Sequence, residues 1–148
     1  MPLRRSVLSY LEDDAARFPD RLAVIDEHGS CTYEVLRHRA QRAGSALAAH
    51  EANHRAVVVY MEKGIDALSI MFGALYAGGF YVPVDPQVPA DRLARIAGAL
   101  GNPLIVADGD RAAAAAAALP AEGELLAAAD VLEAPLDEAA LVASRRGL

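Results

Sequence analysis

The strongest constraint on the fold is a stretch of 18 residues without a charged side chain, Ala67–Val84. A stretch of that length is long enough to be a candidate membrane-spanning helix. Gly78, Gly79 and Pro83 interrupt it, however, at positions where a spanning helix would need continuity. A buried helix that ends near the glycines and leads into a short buried strand explains the same hydrophobicity. We therefore predict no membrane segment.

Strands and helices are predicted to alternate along the chain. The predicted strands are Leu22–Asp26, Ala56–Met61, Tyr81–Val84 and Leu104–Ala107, with one or two short strands within Glu124–Leu132 and a turn over Glu27–Ser30. The predicted helices run from the cap Ser6 to Pro19, from the cap Thr32 to about His50, over Ile65–Ala77, from Pro89 onward, over Ala112–Ala118, and from the cap Asp137 to Arg145 and Arg146, with Gly147 past the end. This order predicts an α/β fold with a doubly wound, mostly parallel sheet and flanking helices.

Composition excludes several classes of partner. The 148 residues suit one domain or one lobe of a larger domain. A net charge of −6 predicts repulsion from nucleic acid and from anionic membranes. The single cysteine, Cys31, excludes an intramolecular disulfide and is typical of a reducing compartment. The opening residues MPLRRSVLSYLEDD do not form a secretory signal, so we expect a cytoplasmic protein.

One short pattern suggests a metal site. His50, Glu51 and His54 match H-E-x-x-H, in which a helix presents two zinc ligands and a glutamate that activates water. The pattern falls where the helix should end, and no third ligand follows at a suitable distance. We therefore keep a small zinc hydrolase as a weak alternative and favour solvated histidines.

No residue is predicted to be catalytic, to bind a cofactor or to bind a metal. The glycines form neither G-x-G-x-x-G nor the phosphate-binding pattern G-x-x-x-x-G-K-[ST]. Lys63-Gly64 is the nearest candidate for an anion contact, although a solvated lysine is the simpler interpretation. Cys31 is interpreted as a buried filler, and Glu12, Asp13 and Asp14 as a solvated helix face.

Two motifs, taken together, resemble the adenylate-forming ligase superfamily. The first resembles the family pattern L-x-A-G-x-x-Y-V-P-x-D-P-x-x-P-x-x-R and comprises Leu75, Ala77, Gly78, Tyr81, Val82, Pro83, Asp85, Pro86, Pro89 and Arg92. The second comprises Thr32, Tyr33 and Leu36, which are similar to the family's T-Y-x-x-L. The resemblance extends from about Ser6 to Ala107, and it departs at Tyr76, where the family often has lysine.

The resemblance implies an activity for the intact family. Tyr81-Val82-Pro83 favours the amino-acid-activating branch, which includes nonribosomal peptide synthetase adenylation domains and D-alanine–carrier protein ligases. These use ATP and magnesium to convert an amino acid to an aminoacyl-AMP, and they pass it to the phosphopantetheine thiol of a carrier protein.

The family's functional motifs are not matched within this chain. The Ser/Thr/Gly-rich phosphate loop, the substrate pocket and the catalytic lysine would all lie beyond Leu148. We therefore expect residues 1–148 to be a partial AMP-binding domain, the incomplete N-terminal lobe of an adenylation domain, which is truncated before the phosphate loop, binds no cofactor and is inactive alone. The alternative is a non-catalytic partner that completes a split enzyme with a complementary chain.

Overall fold

The computed structural model describes residues 7–145, which form an α/β fold. The helices are α1 Val7–Arg17, α2 Tyr33–Ala49, α3 Ile65–Tyr76, α4 Ala90–Leu100, α5 Ala112–Ala118, α6 Ala128–Leu132 and α7 Glu138–Arg145. The strands are β1 Leu22–Asp26, β2 Gly29–Thr32, β3 Ala56–Tyr60, β4 Phe80–Val84, β5 Leu104–Ala107 and β6 Glu124–Ala127. Ser6, Arg146 and Gly147, assigned above to helix ends, lie outside the described residues.

The main sheet is parallel and has four strands in the order β4-β3-β5-β6. After β3 the chain adds β4 on one side, and it then crosses to add β5 and β6 on the other. This is the doubly wound arrangement that the alternation of elements predicted. All residues of β3 and β5 are buried, as expected for continuously apolar strands covered on both faces.

Alternate residues of each central strand enter different cores. On one face, Val57 and Val59 pack with α2, α3 and α6. On the other face, Val58 and Tyr60 pack with α4 and α5. A third apolar cluster joins α1, α2, α3 and α7, and Tyr76 lies fully buried within it. The helices α2 and α3 each contribute to two of the three clusters and so connect the sheet to the third cluster.

The uncharged stretch is divided between α3 and β4, as predicted, and no helix within residues 7–145 meets the length and hydropathy needed to cross a bilayer. The turn between them is a Schellman motif, in which the N–H of Gly79 donates to Ala74 O at 2.9 Å and that of Gly78 to Leu75 O at 3.1 Å. Gly78 has φ of 80°, the left-handed conformation predicted for the end of this helix.

Two predicted boundaries were wrong, and one helix was not predicted. The turn predicted over Glu27–Ser30 is shorter, because β2 begins at Gly29 and pairs antiparallel with β1. The prediction of one or two short strands within Glu124–Leu132 is confirmed by the single strand β6, and the helix α6 that follows it was not predicted; Ala128 and Val131 point into the core at helical spacing. Pro89 caps α4 from outside the helix instead of being its first residue.

Two helices approach closely where glycines meet. A Cβ atom added at Gly73 in α3 would lie 2.8 Å from Ala43 Cβ and 2.9 Å from the backbone nitrogen of Gly44, both in α2. The facing Gly44 is as tightly packed, because its added Cβ would lie 2.9 Å from Gly73 O. The packing of α2 on α3 therefore requires the absence of side chains at this crossing.

We predict that Gly73→Ala will destabilise the protein by about 1–3 kcal/mol, because the added methyl group would force the two helices apart. Gly98→Ala is the matched control: Gly98 is a helical glycine of α4 whose added Cβ would meet nothing within 4 Å. It should stabilise the protein by about 0.5–1 kcal/mol through helix propensity. Urea unfolding followed by circular dichroism measures both changes, and equal stabilities for the two variants would contradict the close approach.

Candidate functional site

The position to examine first is the carboxyl edge of the sheet between β3 and β5. Open α/β sheets bind ligands in the crevice where the chain reverses its direction of strand addition, and that reversal falls between these two strands. The loops that follow β3, β4 and β5 meet at this edge. Their polar side chains therefore decide what could bind there.

Arg111 links all three loops. Its guanidinium forms ion pairs with Glu62, after β3, and with Asp108, after β5, the latter at 2.7 Å. Its Nε atom also donates to the carbonyl oxygen of Pro86, after β4, at 3.1 Å. The Arg111 side chain is only 13% exposed. The crevice is therefore spanned by a cation whose charge is already compensated by two carboxylates.

The amino terminus of α3, which also lies at this edge, is occupied as well. The Asp26 carboxylate, at the end of β1, accepts the backbone N–H of Ile65 at 2.9 Å and that of His28 at 2.8 Å. These two hydrogen bonds hold the pKa of the Asp26 carboxyl below its ordinary value of 3.8, and the bond from Ile65 has the larger effect. Gly64 makes room for this contact, because a Cβ atom there would lie 2.7 Å from Asp26 Oδ2. A helix start that could receive a phosphate is thus capped by the chain's own carboxylate.

Two cavities flank the Asp26 contact. The first, here the polar cleft, has a volume of about 470 Å³ and is lined by residues that include His28, Ser30, Cys31, Arg39, Lys63 and Asp66. The guanidinium of Arg39 already has partners in this cleft, because it forms an ion pair with Asp66 and donates a hydrogen bond to Ser69 Oγ. Burial raises the pKa of the Cys31 thiol and outweighs the nearby charge of Arg39, which lowers it. This cysteine is therefore a poor nucleophile.

The second cavity, here the apolar groove, has a volume of about 540 Å³ and lies between the β1–β2 hairpin, α3 and β4. Its apolar lining includes Val24, Ile25, Leu68, Met71, Tyr81 and Pro83. Asp26, Lys63 and Asp85 are the charged residues that line it. The groove offers apolar contact area and no grouping of acid, base and nucleophile.

The H-E-x-x-H pattern does not form a metal site. The helix that it would need ends at Ala49, and both Glu51 and His54 have positive φ values, 59° and 61°. His50 instead contacts Glu124 at 2.5 Å, between its Nδ1 atom and Oε2. Within residues 7–145 no group of three His, Cys, Asp or Glu side chains is placed to hold a metal ion. The geometry therefore contradicts the zinc hydrolase alternative.

Other predicted positions have mixed outcomes. Lys63 is exposed and Cys31 is buried, as predicted. The prediction that Glu12 is simply solvated was wrong, because its carboxylate accepts a hydrogen bond from the hydroxyl of Tyr76. Tyr76, the position that departs from the family motif, therefore ties α1 to α3 from within the third apolar cluster.

The motif residues have structural roles in this lobe. The Gly78-Gly79 turn packs against the loop that precedes β3, where a Cβ atom at Gly79 would lie 2.5 Å from Ala52 O. Thr32 caps α2 by accepting the N–H of Val35 at 3.2 Å. Asp85 accepts the N–H of Gln87 at 2.8 Å and so shapes the exit from β4.

Comparison with known proteins identifies the class. The family model for AMP-binding enzymes matches residues 11–145. Tyrocidine synthase 1 of Brevibacillus parabrevis is 34% identical over 90 residues, which are 60% of this chain and 8% of the relative. The L-proline–[L-prolyl-carrier protein] ligase of Pseudomonas fluorescens is 37% identical over 84 residues, which are 56% of this chain and 17% of the relative.

Solved structures give the same result. The nonribosomal peptide synthetase FmoA3 bound to α-methyl-L-serine-AMP superposes with a TM-score of 0.79 and 29% identity, over 92% of this chain and 16% of that chain. A benzoate CoA ligase from Burkholderia xenovorans LB400 superposes with a TM-score of 0.76 and 25% identity, over 95% of this chain and 29% of that chain.

The chain belongs to the AMP-binding enzyme family, and its fold is that of the N-terminal lobe of an adenylation domain. The family consists of ATP-dependent adenylating ligases. The resemblance stated from the two sequence motifs is thereby confirmed. The chain spans between 8% and 17% of the length of the two curated relatives named above.

We predict that Asp26→Asn will lower the urea midpoint at pH 7, because the neutral amide caps α3 more weakly than the carboxylate. The folded-state pKa of Asp26 is lowered. The ionised carboxylate therefore adds to the free energy of unfolding above pH 3.8, and this stabilisation is lost as the pH falls through the folded-state pKa. The difference between variant and parent at pH 7 should therefore shrink as the pH is lowered from 3.8 further into acid. Asp20→Asn, at an exposed position, is the control and should not change the midpoint at either pH. A difference that persists in acid would contradict the electrostatic origin.

Proposed function

We propose that residues 1–148 are a partial AMP-binding domain, the N-terminal lobe of an amino-acid-activating ligase. The intact enzyme would convert an amino acid and ATP to an aminoacyl-AMP and pyrophosphate, and would then transfer the aminoacyl group to a carrier-protein thiol. The amino-acid branch is supported by Tyr81-Val82-Pro83 and by the similarity to peptide synthetases and to a prolyl-carrier protein ligase.

We further propose that this lobe has no adenylating activity alone. Phosphoryl chemistry needs donors and a cation placed around the triphosphate before the reaction. In this lobe the amino terminus of α3 is capped by Asp26, and Arg111 is paired with Glu62 and Asp108. These positions do not fit ATP and magnesium, so we derive no catalytic step from them. The single observation that carries the proposal is this occupation of the carboxyl edge by the chain's own ion pairs.

A second candidate is a non-catalytic partner that completes a split adenylation enzyme. The open apolar groove favours it, because a contiguous apolar surface is typical of a site of association. In that case a separate polypeptide would carry the phosphate-binding loop and the catalytic lysine.

The test is ATP–pyrophosphate exchange with the purified chain and a mixture of the twenty amino acids. We expect exchange equal to that of a blank without protein, because Arg111 and the amino terminus of α3, which could otherwise bind phosphate, are already occupied by carboxylates of the same chain. Exchange clearly above the blank would contradict the proposal. If a second chain carrying the phosphate loop co-purifies and restores exchange, the split-enzyme candidate is favoured over the fragment without a partner.

A further inference from the structure

The crevice between β3 and β5, where open α/β sheets bind their ligands, is occupied by a side chain of the protein itself. Each nitrogen atom of the Arg111 guanidinium contacts a different loop. Nη2 pairs with Glu62 after β3, Nη1 pairs with Asp108 after β5, and Nε donates to Pro86 O after β4. Oxygen atoms from three loops therefore converge on one planar cation.

This arrangement differs from an ordinary surface ion pair. Exposed pairs contribute little to stability, because water competes for both partners. Arg37, which pairs with Glu34, is an example: its side chain is 28% exposed, and the pair joins two residues of one helix, α2. The Arg111 side chain is only 13% exposed. Its forked guanidinium directs its donors at fixed angles, so the three contacts together require one arrangement of the three loops.

The turn that follows β4 depends on this side chain. The turn is closed by Asp85, whose carbonyl oxygen accepts the N–H of Val88 at 3.0 Å. Within the described part of the chain, two hydrogen bonds join this turn to other elements. The Tyr60 hydroxyl, at the end of β3, donates to Val88 O at 2.6 Å, and Arg111 donates to Pro86 O at 3.1 Å. Without Arg111, the turn would keep only the bond at Val88.

We propose that Arg111 acts as an internal ligand: its guanidinium holds the three loops of the carboxyl edge together, and a small guanidinium cation can bind in its place when the side chain is removed. The acceptors in the crevice are two carboxylates and a carbonyl oxygen, so they select a planar cation with several N–H donors and repel a phosphate. This inference goes beyond the proposed function and does not depend on it.

The test uses the full chain, with Arg111→Ala as the variant and ethylguanidinium chloride as the probe. Amide hydrogen exchange at Val88 reports opening of the turn after β4. Exchange at Val58, which is fully buried in β3, reports unfolding of the whole lobe. We expect the variant to accelerate exchange at Val88 at least about tenfold more than exchange at Val58. Adding ethylguanidinium should restore slow exchange at Val88.

A control cation and a control variant are available. Tetramethylammonium has the same charge but no N–H donor, so it should not restore slow exchange at Val88 in Arg111→Ala. Arg37→Ala removes an ion-paired arginine from within α2. It should leave exchange at Val88 unchanged, with or without ethylguanidinium.

A second variant, Arg111→Lys, keeps the positive charge between Glu62 and Asp108 and so preserves the fold if the alanine variant does not. Its single ammonium group cannot reproduce the planar fork. We therefore expect exchange at Val88 to be faster than in the parent and slower than in Arg111→Ala. Exchange at Val88 equal to that of the parent would contradict the requirement for a planar guanidinium.

The remaining outcomes are also decisive. Equal acceleration at Val88 and Val58 would overturn the inference, because Arg111 would then stabilise the lobe as a whole. Restoration by tetramethylammonium to the same extent as by ethylguanidinium would overturn it, because charge alone would suffice. Failure of ethylguanidinium to slow exchange at Val88 would overturn it as well. None of these results alters the outcome of the ATP–pyrophosphate assay, so the proposed function is tested separately.

Discussion

The close approach of α2 and α3 at Gly44 and Gly73 is the constraint on which the rest of the lobe depends. It allows the two helices to pack with backbone near backbone, and α3 can then cover one face of the sheet while it also contacts α1 and α7. Any side chain at the crossing would lift α2 away from the sheet. The fold therefore depends on two residues that contribute no side chain of their own.

At the carboxyl edge of the sheet, two charged side chains have their partners within the same chain. Arg111 and Asp26 have the charges expected for binding a phosphate or a cation, but each is satisfied by groups of the same chain. Paired charges of this kind connect loops and fix their geometry, and they compete with an added ligand. Within residues 7–145 these contacts therefore order the loops at this edge.

Local signals account for what could be predicted from the sequence. The apolar β-branched runs gave β3 and β5, and the caps Thr32 and Asp137 gave the starts of α2 and α7, because each signal lies within a few residues of its effect. The strand β2 was missed since Gly29–Thr32 has no apolar run and two of its four residues are exposed, and a strand of that kind depends on its partner.

The candidate site was less predictable because its contacts are distant in sequence. Arg111 and Glu62 are 49 residues apart, and Asp26 and Ile65 are 39 apart. Neither pair leaves a periodic or motif signal. At His50–His54 a local sequence match suggested a metal site that the structure does not form. The helix ends at Ala49, so the two histidines and the glutamate do not lie on one helical face.

The Gly78-Gly79 turn has a consequence for the order of folding. A Cβ atom at Gly78 would lie 2.4 Å from the carbonyl oxygen of Ser144 in α7, so the last helix rests directly on the turn that ends α3. The unit of β3, α3 and β4 is formed by neighbours in the chain and has a low cost of loop closure, whereas α7 must close a much longer loop to reach Gly78. We therefore expect α7 to dock late in folding, onto a turn that has already formed.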